Sequence, residues 1–222
     1  MNRKVIRIPL LTAANLLMLI CNIQMRAQNR SHFATEIMLA MPTGEYRNVD
    51  NRDRAEPGFG FDLAYFAPIG NSGLGLNSSF TGIFNKNVRF KSTNRRFFKV
   101  TGGWYSHLML STGPAYVKYF KNFGLKLYTQ AGLNFTGISD SEETILQTGQ
   151  IIETHDFEPA SFFFYKAGIS FILEEKVLLG LSYMDLGQLE YQSVYDTVND
   201  EPVNELTSFR GYSINVKLGI LL

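Results

Sequence analysis

The sequence predicts an all-β chain: an eight-stranded antiparallel up-and-down transmembrane β-barrel that follows a cleaved signal peptide. Three observations predict it. The last stretch alternates strictly, with Tyr212, Ile214, Val216, Leu218, Ile220 and Leu222 on one parity and Gly211, Ser213, Asn215, Lys217 and Gly219 on the other. Successive side chains of a strand point to opposite faces, so one face is wholly apolar and the other small, polar or charged. Such stretches recur eight times, and their connections run long, short, long, short, long, short, long. This is the asymmetry of outer-membrane barrels, with short periplasmic turns and long outer loops. Finally, the chain opens like a secretory signal, and no later stretch approaches the roughly 18 apolar residues of a membrane-spanning helix.

The opening divides the chain in two. Arg3, Lys4 and Arg7 form a basic start, an interrupted apolar run follows over residues 8–23, and Met25-Arg26-Ala27-Gln28 offers a cleavage point after Ala27. Residues 1–27 therefore read as a signal peptide and residues 28–222 as the barrel, in preference to a buried N-terminal helix. Cys21, the single cysteine, lies inside the signal. Bulky Ile20 precedes it where a lipoprotein signal wants a small residue, which argues against acylation. Cleavage leaves no disulfide framework and no thiolate chemistry. It also removes four basic residues and no acidic one from a chain of net charge +1. The mature chain is mildly acidic, unlike a general nucleic-acid binder. Its 18 Phe and 11 Tyr must be buried in a core or in lipid, and a closed barrel is the one non-helical way to span a bilayer.

The strands follow in order. Residues 33–41 carry Phe33, Ile37, Leu39 and Met41 on one parity and Ala34, Glu36, Met38 and Ala40 on the other. Residues 58–68 set Phe59, Phe61, Leu63 and Tyr65 against Gly60, Asp62 and Ala64. The Gly70-Asn71-Ser72-Gly73 turn leads into a third strand over 74–84, since turn chemistry of this kind marks a hairpin. The fourth, 104–119, changes apolar parity near Gly113-Pro114, from Leu108 and Leu110 to Val117 and Tyr119. A one-residue bulge there accounts for the shift and for the proline. The fifth strand, 125–137, alternates Leu125, Leu127, Ala131, Leu133 and Phe135 with Lys126, Tyr128, Gln130, Gly132 and Asn134. A sixth places Phe163, Tyr165, Ala167, Ile169 and Phe171 opposite Phe164, Lys166, Gly168 and Ser170. The Glu174-Glu175-Lys176 turn precedes a seventh over 177–184, and the C-terminal stretch is the eighth. Tyr65, Phe66, Tyr119, Phe120, Tyr183 and Tyr212 bunch near strand ends, where interfacial girdles sit.

The non-lipid parities collect charge: Glu36 and Asp62 on strands one and two, then Lys118, Lys126, Lys166 and Lys217 on strands four, five, six and eight. A basic residue on a lipid face near the midplane costs about 2–4 kcal/mol, so these six are expected in the lumen. An eight-stranded interior is just wide enough to be filled by side chains, so the group reads as a polar plug, with Asn77, Gln130, Asn134 and Asn215 as partners. A small pore or proton path is the alternative. In a soluble lipocalin-like barrel the same apolar parity would face inward and leave the lysines outside.

The long connections are segregated by charge. The basic loop over 85–99 holds Lys86, Arg89, Lys91, Arg95, Arg96 and Lys99 and no acid. Residues 139–159 hold Asp140, Glu142, Glu143, Glu153, Asp156 and Glu158, and the fourth connection adds Glu190, Asp196, Asp200, Glu201 and Glu205. Such loops pair across the barrel mouth, or meet lipopolysaccharide phosphates on the basic side and a cation or basic partner on the acidic side. Two loops read as extended hairpins, one around Thr93-Asn94 and one around Thr148-Gly149, whose edges suit a partner strand.

Pro42-Thr43-Gly44-Glu45-Tyr46, Gly58-Phe59-Gly60-Phe61-Asp62-Leu63 and Leu74-Gly75-Leu76 resemble the small outer-membrane β-barrel proteins common in Bacteroidetes, a porin-like barrel family. The resemblance implies an outer-membrane location and insertion by assembly machinery, and implies no agreed activity. The chain ends in Leu222 where that family usually has an aromatic residue.

Catalysis on so small a barrel needs a nucleophile beside a base. The three histidines are His32 at the periplasmic end, His107 near the outer rim and His155 in a loop. Ser106 and His107 point to opposite faces, and Ser111 lies about 13 Å along the strand from His107. No metal-ligand cluster or phosphate-cradling loop is present. The expectation is a non-enzymatic, cofactor-free monomer in the outer membrane. Its role is envelope structure, surface contact or adhesion through charged hairpin loops, with lipid, lipopolysaccharide and an extracellular protein as partners and no nucleic acid. A narrow pore and a lipid-A-modifying enzyme are the alternatives.

Overall fold

Backbone N–H and C=O groups within a bilayer must be satisfied by the protein itself, because lipid offers no partners. The chain meets this demand by closure. The computed structural model describes residues 31–47, 55–86, 89–93, 96–138, 141–145, 148, 151–155, 160–193 and 205–222. The expected signal segment over 1–27, Arg95 and residues 194–204 lie outside them.

Twelve strands are described: β1 His32–Thr43, β2 Gly58–Pro68, β3 Leu74–Lys86, β4 Arg89–Thr93, β5 Arg96–Gly102, β6 Trp104–Tyr119, β7 Phe123–Ile138, β8 Ser141–Ile145, β9 Ile151–His155, β10 Ala160–Leu173, β11 Val177–Ser193 and β12 Glu205–Leu221. Eight form a closed antiparallel barrel in the order β1-β12-β11-β10-β7-β6-β3-β2. Closure is the pairing of the first strand with the last, Ala34 opposite Leu221 through Thr43 opposite Tyr212. It is continued by the Leu222 amide, which donates to the Phe33 carbonyl at 2.8 Å. The terminal leucine thus completes the ladder through its backbone.

The alternation sorts the side chains as the sequence requires. Ile37, Leu39, Phe59, Leu110, Leu133, Phe163, Leu181, Val216 and Leu218 are exposed on the outer wall, whereas Glu36, Asp62, Asn77, Gln130, Lys166, Asn215 and Lys217 are buried inside. Aromatic pairs mark the wall near the strand ends, with Tyr183 stacked on Tyr212 at 6.0 Å and Phe120 on Phe123 at 4.6 Å.

Four expectations are corrected. The β6 register against β3 runs unbroken through Asn77 opposite Gly113 and Leu76 opposite Pro114, so there is no bulge. Val117 and Tyr119 instead turn inward, where Val117 packs with Ala34, Phe66, Ala115, Ile172 and Leu178 and Tyr119 lies against them. The interior at the turn end is apolar, so an apolar residue there need not face lipid. The same register makes Phe66 an interior residue, stacked on His32 at 5.1 Å, and not a girdle residue.

The bulge lies elsewhere, between Asp185 and Gly187 of β11, with Gly187 at φ +89°. That conformation costs glycine nothing, and an extra residue bends the strand without ending it. β11 therefore continues to Ser193 and β12 begins at Glu205, making a long hairpin of much of the fourth connection. The acidic hairpin pairs Ser141 with His155 through Thr144 with Ile151. Its ladder thus uses the polar residues before Ile145, and Gly149 of the expected Thr148-Gly149 turn lies outside the described residues.

Gly132 permits a close approach: a Cβ built there would lie 2.7 Å from the Ser111 Cα across the β6–β7 pair. Gly132→Val should cost about 1–3 kcal/mol through forced separation of the strands, read as a lower urea midpoint for unfolding from lipid vesicles. The wild-type barrel should migrate faster on a gel when unboiled than after boiling. Equal mobilities would be incompatible with a closed barrel.

Candidate functional site

Interior side chains form three layers. Toward the short turns, Ala34, Ala64, Phe66, Ala115, Val117, Ile172 and Leu178 make an apolar floor. Toward the long loops, Met38, Ile83, Tyr105, Met109, Phe164, Met184 and Leu186 pack around Tyr46. Between them lies the charged layer.

Glu36 and Asp62 stand directly opposite each other on β1 and β2. Like charges so placed repel, and two lysines offset that, Lys217 from the neighbouring β12 and Lys166 from β10 across the lumen. Lys166 donates to Asp62 Oδ2 at 3.0 Å, to Ser79 Oγ at 2.8 Å and to Thr81 Oγ1 at 3.0 Å. Lys217 donates to the same Asp62 oxygen and lies 3.5 Å from Glu36 Oε2. Thr81 Oγ1 donates to Asp62 Oδ1 at 2.8 Å, so both carboxylate oxygens are engaged. Gln130 Oε1 accepts from Ser79 Oγ at 3.2 Å, and its Nε2 donates to the Asn77 carbonyl at 2.8 Å. The Tyr128 ring lies beside the layer, with the ammonium groups of Lys126, Lys166 and Lys217 at 5.8, 5.9 and 5.6 Å from its centroid. Burying charge is repaid only with such geometry and full hydrogen bonding.

The structure therefore brings together Glu36, Asp62, Lys126, Lys166 and Lys217, and sets Lys118 apart. With no bulge in β6, Lys118 takes the outward parity of Leu108, Leu110 and Tyr116. Its Nζ lies 5.6 Å from the Phe120 ring centroid, at the turn end of the barrel. Lys118 is nonetheless buried, with its ammonium held against that ring. Ser79 and Thr81, which sequence reading left out, are as much part of the network. Their signal was present: both share the parity of Asn77 on a strand whose other parity holds Leu74, Leu76 and Phe80.

The mouth holds a second unforeseen group. A short 3-10 helix, Gly44–Tyr46, folds over the barrel end and leaves Tyr46 1% exposed. The Tyr46 hydroxyl lies 3.0 Å from His107 Nε2 and donates to Asn85 Oδ1 at 3.3 Å. His107 Nδ1 receives Asn134 Nδ2 at 3.3 Å, which assigns the ring proton to Nε2, facing Tyr46. Thr136 Oγ1 is 3.1 Å from Nδ1. Burial pushes the Tyr46 phenol well above its ordinary range, so it stays a neutral hydroxyl. The helix is tied from outside by Glu45, whose Oε2 accepts the Arg210 amide at 2.9 Å. Arg210 in turn pairs with Asp185 through Nη2 at 2.6 Å. His107 is fully buried among these partners. Among the described residues no group of three or more His, Cys, Asp or Glu could hold a metal ion.

Outside the barrel, a four-stranded sheet of order β4-β5-β8-β9 joins the two long loops. Arg89, Lys91, Arg96 and Lys99 belong to β4 and β5, and Lys86 ends β3. Lys99 pairs with Thr144, Val100 with Glu143 and Thr101 with Glu142. The basic and acidic hairpins are thus one structure, consecutive above the adjacent barrel strands β6 and β7.

Asp62→Asn should cost about 3–5 kcal/mol in urea unfolding, because Lys166 would be left buried without a counter-charge. The double variant D62L/K166M leaves Lys217 with Glu36 and should recover most of that loss. Tyr46→Phe should cost about 1–3 kcal/mol by the same assay, since the buried His107 and Asn85 lose a partner.

No protein-family model matches the chain, and no curated relative does. Solved structures match it in fold. The outer membrane protein OprG of Pseudomonas aeruginosa superposes with a TM-score of 0.53 at 10% identity, over 90% of this chain and 99% of OprG. The attachment invasion locus protein Ail of Yersinia pestis, solved with the heparin analogue sucrose octasulfate, gives 0.45 at 14%, over 86% and 97%. Neisserial surface protein A gives 0.41 at 12%, over 86% and 96%. With an apolar wall closed around a buried charged layer, the chain has the eight-stranded β-barrel fold of outer-membrane proteins.

Proposed function

We propose that this chain, a barrel of the kind found in Bacteroidetes, is a non-enzymatic surface-contact protein acting as a monomer. Its outer sheet is the working part, and the basic hairpin engages an anionic partner: lipopolysaccharide phosphates in its own membrane, or an anionic extracellular surface. The observation that supports this reading is the joining of β4–β5 to β8–β9 in one sheet outside the barrel. Pairing with β8 gives the backbone of the basic hairpin a supported scaffold. The contact site is then pre-organised and pays less to bind. The acidic hairpin also repels polyanions from its own side, which orients the partner toward β4, the terminal strand.

The barrel supports this as an anchor. Its interior is occupied by three layers of side chains, and the buried His107 is engaged with Tyr46, so neither the pore nor the enzyme reading gains from it.

The test is binding of the purified full-length barrel in nanodiscs to immobilised lipopolysaccharide and to heparin, at two salt concentrations. Wild type should bind with strong salt dependence. The variant R89Q/K91Q/R95Q/R96Q/K99Q should lose most of that binding while keeping the gel shift on heating. Equal binding by both proteins would defeat the proposal. Lipopolysaccharide binding without heparin binding would place the partner in the same membrane.

A further inference from the structure

The chamber at the loop end of the barrel has the form of a ligand pocket, and a piece of the chain itself fills it. Met38, Ile83, Met109, Phe164 and Met184 give it buried apolar walls. One donor and one acceptor converge there on the Tyr46 hydroxyl, His107 Nε2 at 3.0 Å and Asn85 Oδ1 at 3.3 Å. The rings of Tyr105 and His107 cross the Tyr46 ring at 5.4 and 5.7 Å, with interplanar angles of 77° and 80°. An apolar cavity with a few convergent polar groups is the general form of a small-molecule site. These partners are uncharged, so the chamber suits a neutral group.

Tyr46 does not belong to a barrel strand. It is carried by the three-residue helix after β1, which begins at Gly44 with φ +61° and has no side-chain hydrogen bond from its N-cap Thr43. A single turn is not stable alone, so the helix is held by what it docks against. Besides the buried hydroxyl, the ties are Glu45 on the Arg210 amide at 2.9 Å, in an exposed position, and the Ala55 amide on the Tyr46 carbonyl at 3.3 Å. The chamber is also one donor short with Tyr46 in it. Asn134, which holds His107, is fully buried, and its Oδ1 has no hydrogen-bond partner. Buried acceptors left open are rare, and each calls for a partner. We infer that this chamber binds a small neutral phenol in place of Tyr46, which swings out about Gly44 as the ligand enters. Tyr46 is then a tethered competitor, and the apparent affinity falls by the fraction of barrels that keep it docked. The site is separate from the outer sheet and stands whether or not the basic hairpin binds polyanions.

The probe is p-cresol, which matches the side chain it replaces. The full-length barrel in nanodiscs, labelled at its methionine methyls, should show saturable shifts of Met109 and Met184 on titration with p-cresol. A fluorotyrosine at position 46 should pass from a buried to a water-exposed fluorine signal over the same range. Toluene leaves His107 and Asn85 without a hydroxyl and should bind at least about tenfold more weakly. Tyr46→Phe loosens the docked ring and should bind p-cresol about tenfold more tightly than wild type. The inference is overturned if the wild-type methionines do not shift, if they shift while the ring at position 46 stays buried, or if Tyr46→Phe gains nothing. Binding confined to Tyr46→Ala would reveal only a cavity made by the substitution and would overturn it too. Should Tyr46→Phe fail to fold, the fluorine titration decides alone.

Discussion

Everything in this molecule follows from the absence of a free edge in the part that crosses lipid. Once β1 pairs with β12, every spanning strand has two neighbours, and the barrel needs no outside donor or acceptor. Closure also removes choice. A strand that slips by one residue exchanges its faces, and here that would place Asp62 or Lys217 in hydrocarbon. The ladder and the two-residue period therefore enforce each other around the whole ring, down to the Leu222 amide bound to Phe33.

A ring of eight strands then sets the problem of its own interior, which is narrow and cut off from water. The chain solves it by depth. Apolar side chains fill the floor and surround the mouth, and charges are confined to one layer between them. There Asp62 collects Lys166, Lys217 and Thr81 from three other strands. Pairs of this kind stabilise little in net terms, but removing one partner costs much, so their main effect is to hold opposite walls in register.

The two ends differ in consequence. At the short turns, chain reversal is all that is required. At the long loops, the 3-10 helix delivers Tyr46 into the mouth and the paired hairpins extend the sheet outward. Barrel rigidity and loop presentation are thus separate tasks, the first carried by interior packing and the second by strands that no longer touch lipid.

How much of this was legible in the residues follows from the range of each interaction. Strand number, the long and short connections, and the facing of Glu36, Asp62, Lys126, Lys166 and Lys217 were readable, because alternation is local and the cost of charge in lipid leaves one orientation. Lys118 was misread, since its parity depends on whether β6 bulges at Gly113-Pro114, and that is decided by the pairing with β3. Val117 and Phe66 were misread as lipid-facing because apolarity names a solvent to avoid and not the side on which to avoid it. Only the folded chain shows that the floor of the lumen is apolar. Which lysine meets which acid, and that Tyr46 reaches His107 from 61 positions away, depend on strands brought together by closure. The sequence by itself determined the two faces of each strand, whereas contact across the lumen belongs to the tertiary structure, because no local period encodes it.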